Sequence, residues 1–117
     1  MIRDFKKKGI RIDGVGMQSH HRLRSPNLKD YEDSIAAFAA EGVKVMITEL
    51  DISVLPAAWG LSAEVTSSQD YAAKYDPYRS GLSDAKQKEL SDRYVELFKI
   101  YLRHAKEIDR VTFWGFC

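Results

Sequence analysis

The 117-residue chain is 44% hydrophobic and 30% charged, with a formal net charge of +1. This is the composition of a globular protein, and so small a charge provides no field to attract nucleic acid or an anionic membrane. Cys117 has no second cysteine to pair with, no apolar run approaches the ~20 residues that span a bilayer, and the charged segment after Met1 predicts no secretory signal in this chain.

Ile2 and Phe5, in a charged background stopped by Gly9, predict the last turns of a helix. Residues 10–20, IRIDGVGMQSH, follow as a short strand in which Gly14 and Gly16 admit close approach of another backbone or a ligand. Asn27 is a cap for a helix striped by Leu28, Tyr31, Ile35 and Phe38 and ended by Gly42. Next comes VKVMITELDIS, Val43 to Ser53, an apolar strand that turns acidic. Val43, Val45, Ile47, Glu49 and Asp51 have one parity, so a regular strand puts them on one face with both carboxylates at its C-terminal end, where α/β proteins place their chemistry. Residues 53–82 are read as a long irregular stretch crowded with Trp59, Tyr71, Tyr75 and Tyr78. Ser83 caps a helix with Leu90, Tyr94, Leu97, Phe98, Tyr101, Leu102 and Ile108 on one side, and Val111 to Gly115 is a final strand.

Alternating helices and strands imply parallel strands with right-handed crossovers. Either a small open sheet or an arc of a (β/α)8 barrel satisfies that order, but a whole barrel takes about 250 residues. The helix already under way at the start and the strand that stops at the end favour the arc.

Three segments carry a resemblance: IDGVGMQSH (Ile12 to His20), GVKVMITELDIS (Gly42 to Ser53) and RVTFWG (Arg110 to Gly115). In this order, with helices between them, they resemble the sixth, seventh and eighth strands of glycoside hydrolase family 10, the β-1,4-xylanases with a (β/α)8 fold. The resemblance implies that residues 1–117 are the C-terminal part of such a catalytic domain, an arc covering roughly strands six to eight. It also implies a secreted or periplasmic full-length protein acting on xylan or xylo-oligosaccharides without metal or cofactor. Family members retain anomeric configuration, and the nucleophile matches Glu49 of ITELD. A retaining glycosidase needs an ionised carboxylate about 5 Å from its partner acid, to attack the anomeric carbon and hold a glycosyl ester until water displaces it. His20 is the candidate donor to the charged form of Glu49, and Asp51 can accept from the other ring nitrogen and fix the tautomer. The family uses the same Glu-His-Asp network. Gln18 matches a residue at the sugar subsite beside the cleaved bond, and Trp114 matches the eighth-strand aromatic touching that sugar.

Each residue has a competing structural reading. A carboxylate at a strand end is often a salt-bridge partner, His20 can be a satisfied core histidine, and His21 is assigned to the surface. Trp114 is also a plausible core residue, and the loop aromatics either stack on a xylose ring or simply pin the loop down. The spacing of His20, His21, His104 and Cys117 fits no metal-ligand pattern.

The family's acid/base lies in an Asn-Glu motif on the fourth strand, and that motif has no counterpart among these residues. General acid assistance contributes ~10²–10⁴ in rate, so this chain alone is expected to be inactive and is read as a truncated or partial sequence. Open strand edges and an unfilled interior predict self-association, or pairing with the rest of the barrel. The alternative function is a non-catalytic carbohydrate-binding or interaction domain derived from the barrel.

Overall fold

Caps and single apolar stripes set the helices of the computed structural model, which describes residues 1–55 and 77–115. Helix α1 (Ile2–Lys7) buries Ile2 and gives way to Gly9 at φ +71°. Helix α2 (Leu28–Ala40) begins where the Asn27 side chain accepts from the backbone N–H of Lys29 at 2.8 Å and of Asp30 at 3.3 Å, filling donors left open by the first turn. Gly42, at φ +70°, ends it. Helix α3 (Asp84–Arg103) is capped by Ser83.

Four strands lie in parallel: β1 (Gly14–Met17), β2 (His20–Arg22), β3 (Lys44–Ser53) and β4 (Ile108–Phe113). β1 and β2 run end to end along β3, which pairs on its other side with β4. The single strand expected over residues 10–20 is thus broken, with residues 10–13 outside it and the pairing resumed as far as Arg22. Ile108, expected on the last helix, opens β4 instead. Gly14 and Gly16 face β3: a Cβ on them would stand 3.0 Å from Met46 Cε and 3.2 Å from Thr48 Cγ2.

Both long helices pack on one face of this sheet. Tyr31 and Ile35 of α2, and Leu97, Ile100 and Tyr101 of α3, form a single buried cluster with Val45, Ile47, Leu50 and Ile52 of β3. Outside the cluster, Arg103 forks onto Glu32 at 2.9 and 2.7 Å and ties the two helices together. Within α3 the stripe differs from expectation, because Ile100 is buried whereas Leu102 faces outward at 74% exposure and Phe98 sits at the rim, against Phe113 and Tyr101. Helices on one face are the layering of a barrel arc, not of a doubly wound open sheet.

The parity expected for β3 is overturned. Val45 and Ile47 point toward the helices, and so do Leu50 and Ile52, although these two pairs have opposite parity. The phase slips at an irregularity between Ile47 and Leu50 in the pairing with β4, the two-for-one step of a β-bulge. Glu49 and Asp51 therefore leave the face opposite the buried cluster. Val45 and Ile47 are not an unfilled barrel interior either; they already have the helices as a partner layer.

Candidate active site

The bulge delivers both acidic side chains of β3 to the C-terminal end of the open face, where the pairing of His20 with Asp51 brings β2 alongside. The His20 ring stands between them. Its Nδ1 is 2.9 Å from Asp51 Oδ1, and its Nε2 is 3.1 Å from Glu49 Oε2. A carboxylate only accepts, so both contacts are hydrogen bonds at once when the ring is the imidazolium, with an N–H on each side. His20 is accordingly raised above its ordinary pKa, chiefly by the bond to Asp51; burial opposes this as the next largest effect, and the charge of Asp51 and the bond to Glu49 add to the rise. Asp51 is thus placed to accept from Nδ1, as expected, and its bond is the largest contribution to the raised proton affinity of the ring. Among the described residues, Glu49 Oε1 has no hydrogen-bond partner and remains available for chemistry.

Trp114 closes the site from beyond β4. Its backbone N–H donates to Leu50 O at 3.0 Å, and its indole meets the His20 ring edge-on with centroids 6.1 Å apart. At 60% exposure it is no core residue here. Gln18 is exposed, with the parity of His20, and its carbonyl accepts from the Glu49 N–H at 3.0 Å. The structure thus gathers Gln18, His20, Glu49, Asp51 and Trp114 into one locality.

His21 is not on the surface. It is 2% exposed, meets Tyr31 edge-on at 4.6 Å, and neither ring nitrogen has a hydrogen-bond partner among the described residues. Burial, helped by the charge of Arg93, pushes it down to about 4, so it sits in the core as a neutral ring. The sequence reading also passed over Ser19, whose backbone adopts φ +69° between Gln18 and His20. Serine at that position carries no local signal, since its partner is twelve residues away. The bulge did leave one: the apolar alternation Val43, Val45, Ile47 resumes out of phase at Leu50 and Ile52.

Of the loop aromatics, Trp59, Tyr71 and Tyr75 lie outside the described residues. Tyr78 lines a groove with Arg22, Leu23, Ser53 and Leu55, past the ends of β2 and β3.

Comparison with known proteins places the chain as a whole. The Endo-1,4-beta-xylanase A of Xylanibacter ruminicola is 45% identical over 116 residues, covering 98% of this chain and 31% of its own length. A GH10 endoxylanase retrieved from a sugarcane soil metagenome superposes with a TM-score of 0.83 at 42% identity, over 98% of this chain and 31% of that one. Xylanase10C from Cellvibrio japonicus, solved as a mutant with xylopentaose, gives 0.73 at 29% identity, over 98% of this chain and 21% of its own. The chain spans less than a third of the length of each. Residues 1–117 match the family described as Glycosyl hydrolase family 10 from end to end, and the chain belongs to that family.

Proposed function

We propose that residues 1–117 supply the nucleophile side of the active site of a retaining endo-β-1,4-xylanase, with Glu49 as nucleophile, His20 and Asp51 as its positioning pair, and Gln18 and Trp114 against the sugar. The observation that carries this reading is His20 bridging Glu49 and Asp51 on the open face of a barrel arc. In the reaction, Glu49 Oε1 attacks the anomeric carbon as the glycosidic C–O bond breaks, and the departing oxygen takes a proton from the partner acid. Water then displaces the glycosyl ester, with that acid, now a base, receiving its proton. His20 donates to Oε2 and to Asp51, which holds the Glu49 carboxylate at a fixed angle to the sugar. Exposed Trp114 offers an apolar ring face beside the same position.

By this account one carboxylate of the pair lies in these residues, and the chain by itself hydrolyses xylan at no appreciable rate. The test is labelling with a 2-fluoro-xylobioside bearing a good leaving group, with and without a complementing N-terminal half of a family member, followed by peptide mass spectrometry. The expected result is a glycosyl ester on Glu49 in the complemented sample. Xylan binding without any adduct on Glu49 would sink the enzyme reading and leave a carbohydrate-binding module in its place.

A further inference from the structure

Just behind the carboxylates, the edge of the sheet facing β3 contains a residue in a conformation that L side chains avoid. Ser19 lies at φ +69°, where Cβ crowds the following carbonyl and residues other than glycine are disfavoured. Around it the register changes. Met17 pairs with Ile47 and His20 with Asp51, so two residues on one side face three on the other. In a regular strand successive carbonyls point to opposite neighbours. Here two in a row turn to β3: Gln18 O accepts from the Glu49 N–H at 3.0 Å and Ser19 O from the Asp51 N–H at 3.4 Å. The left-handed turn at Ser19 thus lets one short stretch hold the backbone amides of both acidic residues.

The Ser19 side chain points the other way, into the core. Its hydroxyl lies 2.7 Å from Tyr31 Oη, which lies 3.1 Å from Tyr101 Oη, and the two tyrosines are 6% and 4% exposed. Buried hydroxyls must find partners: Tyr101 has Tyr31, Tyr31 has Ser19 as its second, and the Ser19 hydroxyl can pass its own proton to Met17 O at 3.4 Å, so turning Ser19 outward breaks the chain. Burial pushes Tyr31 and Tyr101 upward in pKa, so both remain neutral O–H groups able to donate along the chain.

We propose that Ser19 is a positioning residue for the carboxylate pair: its left-handed backbone sets Glu49 and Asp51 against His20, and the Tyr31–Tyr101 hydroxyl chain anchors that backbone from the core. Its catalytic meaning rests on Glu49 being the nucleophile; its geometric meaning does not.

The experiment follows the His20 ring by NMR through a pH titration of the 117-residue chain, comparing Ser19→Gly, Ser19→Ala, Tyr31→Phe and Ile35→Val. His20 faces Glu49 and Asp51 from β3 and Trp114 from beyond β4, so its midpoint reports how closely the carboxylates are held. Ser19→Ala removes the hydroxyl but keeps a Cβ at positive φ, and the midpoint falls toward 6.5, with proton affinity dropping about twofold or more. Ser19→Gly removes the same hydroxyl but tolerates the backbone, so its midpoint lies between alanine and the unaltered chain. Tyr31→Phe lowers the midpoint, and Ile35→Val, which only loosens the core, leaves it in place. A side chain that merely plugged the core would make glycine, with its larger void and freer backbone, at least as damaging as alanine. Alanine equal to or better than glycine, or Ile35→Val moving His20 as far as Tyr31→Phe, overturns the proposal. Failure of the unaltered chain to label at Glu49 when complemented by the N-terminal half removes the nucleophile reading and leaves this comparison intact.

Discussion

At His20 both ring nitrogens lie within 3.1 Å of a carboxylate oxygen, and Asp51 accounts for more of the resulting upward shift than Glu49 does. The NMR midpoint is therefore expected above 6.5, and Asp51→Asn should lower it further than Glu49→Gln; the reverse order would contradict the geometry. A raised histidine stabilises the fold fully below its unfolded value, and that contribution is lost as pH climbs through the folded midpoint. His21 has the opposite sign. Unfolded, it takes a proton near 6.5; folded, it resists until about 4, so stability is full above 6.5 and drains away as pH falls toward 4. The gap corresponds to on the order of 3 kcal/mol. His21→Phe removes two unpartnered nitrogens and fits the aromatic contact with Tyr31. Urea unfolding at pH 7 and pH 4.5 should show a smaller acid loss in the variant than in the parent, and equal losses would refute the assignment.

Among the elements, β3 carries both core and chemistry, and the bulge is what allows it. Without the phase slip after Ile47, Glu49 and Asp51 would turn into the core and Leu50 and Ile52 out of it. The helices divide just as clearly. Leu97 is fully buried at the centre of α3, while Leu102, equally apolar in sequence, is largely exposed. Leu97→Ala is expected to cost about 2–5 kcal/mol and Leu102→Ala a small fraction of that by chemical denaturation; comparable losses would mean that α3 is rotated from the position described. Ser83→Ala, which removes the cap bond to Lys86, should cost about 1 kcal/mol. The caps at Asn27 and Ser83, the stripe of α2 and the sequence of helices and strands were legible because they depend on local spacing, whereas the buried face of α3 was not fully so. The break at Ser19 was not, since a serine takes a positive φ only where something distant rewards it.

For the whole molecule, the layering decides what the chain can do. The helices cover one face of the sheet, and the other, bearing Glu49 and Asp51, is half-exposed. β4 has one paired neighbour among the described residues, and Phe113 and Trp114 beside it are about three-fifths exposed. Open edges with exposed aromatics promote association. Sedimentation of the 117-residue chain should therefore show concentration-dependent self-association that a complementing N-terminal half suppresses; a chain monomeric at every concentration would count against an unfilled barrel face. The sequence by itself determined the alternation of helices and strands, the family and the five candidate residues that the fold brings together, because motif spacing and apolar period are properties of neighbours along the chain. Only the tertiary structure decided which face of β3 each residue occupies, that His21 is buried and His20 doubly hydrogen-bonded, and that Ser19 is anchored from the core. Those depend on a one-residue slip in register and on partners up to 70 positions away, which no local pattern encodes.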